Sequence, residues 1–65
     1  MMHGTVTAFD VDRGLGEVTA ADGDVLPFHC VEIADGSRSI DVGVSVHFEV
    51  MLKLGRREAS HIAPA

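Results

Sequence analysis

The sequence predicts an all-β domain of five short antiparallel strands. Three observations lead there: β-branched residues recur in short alternating runs, Gly, Asp and Pro interrupt them at short intervals, and helix signals are few. Sixty-five residues make a single domain spanning 1–65, near the lower size at which a chain buries enough surface to fold without staples.

The first strand covers about His3 to Phe9 and turns at Asp10-Val11-Asp12. A second, about Leu15 to Ala20, ends at Ala21-Asp22-Gly23-Asp24, where Asp-Gly is a tight-turn signal. The third runs from about Val25 to His29. Pro27 cannot donate a ladder hydrogen bond, so this strand is expected to lie at an edge or to bulge beside Phe28. Val31-Glu32-Ile33 suits one helical turn, followed by a polar loop through Asp35 to Ser39 that Ile40 pins to the body of the domain.

Alternation is clearest in Val44-Ser45-Val46-His47-Phe48-Glu49-Val50, which sends Val46, Phe48 and Val50 inward and His47 and Glu49 outward. This is the fourth strand. The chain reverses near Leu54-Gly55-Arg56, and a fifth strand from Glu58 to Ile62 completes the sheet before Pro64. The expected core is Val6, Val18, Leu26, Phe28, Ile33, Ile40, Val46, Phe48, Val50, Ala59 and Ile62. Each large side chain buried contributes roughly 1.5 to 3 kcal/mol, and chain entropy cancels most of the sum, so stability is expected to be modest.

Composition narrows the function. Five basic against ten acidic residues give a net charge of −5, which repels a phosphate backbone overall, although screening over about 8 Å lets a local basic spot act alone. The one cysteine, Cys30, excludes an internal disulfide. With no apolar leader at the start and no stretch long enough to span a membrane, the expected location is the cytoplasm.

Catalytic and metal chemistry find no support. His29 and Cys30 are adjacent and point to opposite faces of a strand, and His3, His47 and His61 lack ligand spacing. No base or orienting group accompanies the thiol. Gly14-Leu15-Gly16 lacks the following helix and the Lys-Ser/Thr of a phosphate loop. The sequence therefore predicts no enzyme, no metal and no cofactor.

The most informative segments are Arg13-Gly14-Leu15-Gly16-Glu17-Val18 and Leu26-Pro27-Phe28-His29-Cys30. They resemble the two RNA-binding motifs of the cold-shock domain family, roughly K-G-F-G-F-I and V-F-V-H-F, as found in bacterial cold-shock proteins. The pattern also matches at Gly4, Val6, Phe9 and Ile33. One missing residue near Asp35 restores the register through Gly43, Val46, Phe48, Val50, Ala59 and Ile62. The resemblance implies a five-stranded antiparallel barrel of the OB type that binds single-stranded RNA or DNA.

It also implies a site from which most rings have gone. In the family, bases stack on outward aromatics of the first three strands. Those positions fall here on Ala8, Leu15, Glu17, Pro27, Cys30 and a residue near Ser37, leaving Phe9 and His29 as the flat groups. Losing about five platforms at the lower figure of ~1 kcal/mol removes roughly 5 kcal/mol, several thousandfold in affinity. The residues expected to carry weak, largely sequence-independent binding are Phe9, Arg13, Leu15 and His29, with Lys53, Arg56 and Arg57 as a cationic spot at the last hairpin. The competing expectation is a protein-interaction or self-association module, such as a homodimer, motivated by Ala8, Leu15 and Pro27 and by the apolar run Met51-Leu52-Lys53-Leu54.

Overall fold

The computed structural model describes residues 2–65. Five strands, β1 (Met2–Asp10), β2 (Leu15–Ala20), β3 (Val25–His29), β4 (Ser45–Lys53) and β5 (Arg56–Pro64), form one antiparallel sheet in the order β3-β2-β1-β4-β5. A single 3₁₀ turn, Cys30–Glu32, follows β3 one residue earlier than the sequence places it. The order is that of a sheet curling back on itself.

The curl does not close by hydrogen bonding. The outer strands β3 and β5 lie against each other without a ladder, and they are tied instead through an isolated parallel bridge between Ile33 and Ile62. Ala34 donates its N–H to the Ile62 carbonyl at 2.8 Å beside that bridge. The architecture is thus a partly open barrel.

Pro27 sits on edge strand β3, opposite Glu17 in an unbroken register from Leu15↔His29 to Thr19↔Val25. An edge is where a residue without an N–H is tolerated, and no bulge is needed beside it. Phe28 accordingly stays in the core, 1% exposed.

Two bulges shape the inside. Between β1 and β2 the register steps from Val6↔Val18 to Ala8↔Glu17, leaving Thr7 as an extra residue. Between β4 and β5 it steps from His47↔Ala63 to Glu49↔Ser60, so that His61 and Ile62 oppose Phe48, and His61 takes a positive φ of 50°. Each bulge turns the remainder of its strand over to the other face. Ala59 and Ile62, three residues apart, cannot share a face on a regular strand, and the extra residue lets both be fully buried.

The core comprises Val6, Val18, Ala20, Leu26, Phe28, Ile33, Val46, Phe48, Ala59 and Ile62. Ala20 joins the residues that the sequence pattern selects. Ile40 and Val50 pack against this cluster while staying half-buried, so Ile40 does anchor the long polar loop. Within that loop the Ser37 N–H donates to Asp35 Oδ1 at 2.9 Å, and this bond, with the Ser37 side chain, holds the Asp35 carboxyl below its ordinary value of 3.8.

The last hairpin is longer than the sequence pattern suggests, because β4 runs on to Lys53 and β5 begins at Arg56. Only Leu54 and Gly55 separate them, with φ of 50° and 78°. Two left-handed residues in a row are the type I′ geometry, whose twist matches that of the flanking strands. Leu54 is a costly choice there, since its Cβ opposes the left-handed conformation and its side chain is fully exposed.

Candidate nucleic-acid interface

Strands β1, β2 and β3 lie side by side, so register alone assigns their residues to rows. Ala8, Glu17 and Pro27 form one row and Asp10, Leu15 and His29 another, both on the outward face. Between them lies the inward row Phe9, Gly16 and Phe28.

That inward row explains a placement the sequence pattern does not show. Without the Thr7 bulge, Phe9 would share the outward parity of Thr7; with it, Phe9 turns to the parity of Gly16 and stacks on Phe28, centroids 5.9 Å apart and planes 17° from parallel. The bulge is held by the Thr7 and Thr19 hydroxyls at 3.0 Å. Gly16 makes the stack feasible, because a Cβ there would lie 2.6 Å from the Phe28 ring and 2.8 Å from the Ala8 carbonyl oxygen. Phe9 is therefore half-buried packing rather than a free outward platform.

The rows border a concavity of about 410 Å³. Leu15 and His29 line it from the second outward row, Pro27 and Ala8 from the first, with half-buried Phe9 and buried Phe28 beneath. Leu15 is 38% exposed and His29 is also exposed, so both are available to a ligand. The lining includes three carboxylates, Asp10, Glu17 and Glu58, and no lysine or arginine.

The three acids are in different states. Asp10 caps the β1–β2 turn, its Oδ1 accepting the N–H groups of Asp12 at 3.1 Å and Arg13 at 3.2 Å. Glu17 is exposed and its carboxylate has no partner among the described residues. Glu58 is mostly buried, its side chain 13% exposed; Oε1 is shielded from solvent, accepts no hydrogen bond and lies 4.0 Å from the Lys53 ammonium. Local sequence gives no hint of Glu58, which is brought from β5 by the curl of the sheet.

The basic residues stand apart from the concavity. Arg13 is exposed on the β1–β2 turn, and Arg56 is exposed opposite Lys53 at the β4–β5 hairpin. Arg57 reaches Asp24 in the β2–β3 turn at 3.1 Å, both side chains about half exposed, which makes this a surface ion pair of small energetic weight. Lys53 is engaged by Glu58. Of the seven residues singled out from the sequence, then, Phe9, Leu15 and His29 meet at one concavity, while Arg13, Lys53, Arg56 and Arg57 surround the fold elsewhere.

A curled five-stranded antiparallel sheet with its concavity on strands one to three defines an OB-type domain. The chain matches the family described as 'Cold-shock' DNA-binding domain over residues 2–65, and it belongs to that family. Among solved structures it is similar to drosophila Unr CSD456, with a TM-score of 0.81 and 29% identity. That match covers 98% of this chain and 26% of the other, so the chain spans about a quarter of the length of the structure it resembles. Comparison with curated protein sequences gives no match. Cold-shock domains are, in general, nucleic-acid-binding domains.

Proposed function

We propose that this domain binds single-stranded RNA or DNA weakly, by lodging bases in the concavity on β1–β3. The observation that carries the reading is the coincidence of that concavity with the two segments resembling the family's RNA-binding motifs. His29 supplies a flat face, Leu15 and Pro27 supply apolar contact, and the exposed Arg13 supplies a phosphate partner nearby along the chain. Affinity is low because stacking surface is scarce and carboxylates border the site. Stacking and phosphate contact are tolerant of sequence, so preference among strands is small. The domain acts as a binding module, without catalysis or cofactor, in the cytoplasm.

The test is a fluorescence-anisotropy titration with labelled oligo-dT and oligo-U at low salt, repeated at physiological salt. Micromolar Kd values that weaken with salt support the reading. An absence of binding to either strand at any protein concentration overturns it.

A second reading is favoured by the β4–β5 hairpin, where Leu52 and Leu54 are 73% and 104% exposed. Exposed leucines beside each other suit a contact with another protein chain or a second copy. Sedimentation velocity decides between them: a dimer that Leu52→Lys dissolves supports self-association, and a monomer at all concentrations leaves the nucleic-acid reading in place.

A further inference from the structure

His3 and His47 stand far apart in the sequence and side by side in the sheet, as a register pair of β1 and β4. The ladder is regular on both sides of them, with Met2↔Phe48 and Gly4↔Val46 as the next pairs, so both rings take the outward face opposite buried Val46 and Phe48. Residues directly opposed in an antiparallel pair start from Cβ atoms about 4.5 to 5.5 Å apart. The imidazoles accordingly meet edge to face, with centroids 6.4 Å apart and planes 69° from parallel. His3 is exposed and His47 half-buried. Among the described residues, the hydrogen bonds and ion pairs made by histidine side chains involve His61 alone, so neither ring of this pair is committed elsewhere.

The surroundings leave the pair open. In the same row Ala63 lies opposite His47 on the β5 side, and on the β2 side Ala21 donates its N–H to the His3 carbonyl at 3.0 Å, so short methyl side chains border the rings. No lysine or arginine occurs in β1, or in β4 before Lys53. Glu49 follows His47 on the same face, and the chain as a whole carries −5, so the local field favours a cation. His3 also lines a hollow of about 430 Å³ together with Thr5, Thr19 and Ser45, which leaves room for a hydrated ligand.

We propose that His3 and His47 form a two-imidazole site for a divalent first-row transition ion of the zinc, nickel and copper class. What two neutral imidazole lone pairs can share is a metal ion, and imidazole suits these metals. Metal–nitrogen distances near 2.0 to 2.1 Å put two rings on one ion with centroids about 5 Å apart. Rotation of the exposed His3 side chain closes the present gap, and the backbone register already supplies the rest. Among the described residues no group of three or more His, Cys, Asp or Glu converges on one point, so water completes the coordination and the ion exchanges readily. Because the ligands come from two strands, the ion clips β1 to β4 and binds the folded chain in preference to the unfolded one.

The experiment titrates the untagged chain with zinc chloride at about pH 7.5, where an ordinary histidine is neutral, by calorimetry and by NMR of the imidazole resonances. Wild type is expected to bind one ion with a micromolar Kd, and the resonances of His3 and His47 are expected to shift together while those of His29 and His61 stay in place. At about ten times Kd, Tm is expected to rise by roughly 5 to 10 °C. His3→Asn and His47→Asn are each expected to weaken binding roughly tenfold or more, since the second imidazole acts as an intramolecular ligand, and to abolish the rise in Tm. His61→Asn is expected to leave both unchanged. The NMR readout on wild type decides even where a variant folds poorly. An absence of zinc binding, shifts at His29 or His61 instead, or undiminished binding in His47→Asn overturns the inference.

Discussion

Two rows of residues, one position apart on the same three strands, behave as if they belonged to different proteins. The inward row Phe9, Gly16 and Phe28 is aromatic, tightly fitted and intolerant of one added carbon. The outward row Ala8, Glu17 and Pro27 carries no ring at all apart from the pyrrolidine and is open to solvent along β2 and β3. Because a strand sends alternate side chains to opposite faces, the two rows answer to separate demands. The inner one holds the fold, and the outer one sets what the fold can bind.

The sharpest way to break this division is at Phe28. Phe28→Ala removes a ring that is 1% exposed and is stacked by Phe9, and is expected to cost about 3 to 5 kcal/mol. A domain this small has little more than that to lose. Circular dichroism with urea titration should find the variant largely unfolded at room temperature; a loss below about 1 kcal/mol would show that the inner row is not the support assigned to it.

The complementary change restores rings outside. Ala8→Trp, Glu17→Phe and Pro27→Phe together add three stacking surfaces on the open row, worth at the lower figure ~1 kcal/mol each and roughly hundredfold in affinity for a single strand. Stability should move by only about 1 kcal/mol, since these are surface positions. The added tryptophan gives its own fluorescence signal for the titration. Tighter binding at unchanged stability would confirm that the rows are independent.

A smaller effect sharpens the contrast from outside both rows. Leu54→Asn places a residue that tolerates the left-handed conformation beside Gly55 and should stabilise the hairpin by about 0.5 to 1 kcal/mol. Tm is expected to rise by roughly 4 °C in a thermal melt, with single-strand affinity unaffected. An unchanged or lowered Tm would mean that the exposed leucine has a packing partner.

Much of the fold is legible in the residues themselves, and the reasons are particular. Val44 to Val50 alternates so regularly that β4 and its inward Val46 and Phe48 could be placed by period alone. Asp22-Gly23 and Leu54-Gly55 mark reversals because glycine accepts the positive φ found at both. The candidate site was legible only where it lies on β2 and β3, whose register is unbroken, so that Leu15 and His29 fall on the outward face as the alternation demands. Phe9, though it too borders the concavity, gives no sign of its inward turn, because it is three residues from Val6 and on a regular strand would alternate away from it.

The chain by itself determined which residues are apolar, how often they recur and where the backbone can turn; these are local properties, set by each side chain's chemistry and by steric limits on φ and ψ. The folded sheet alone decided the rest. Whether an extra residue is squeezed out at Thr7 or His61 depends on what lies across the ladder, and that choice turned Phe9 inward and let Ala59 and Ile62 share the core. The curl likewise carried Glu58 from the end of the sequence to the edge of β1–β3, since pairing at long range, unlike alternation, leaves no mark in the neighbouring residues.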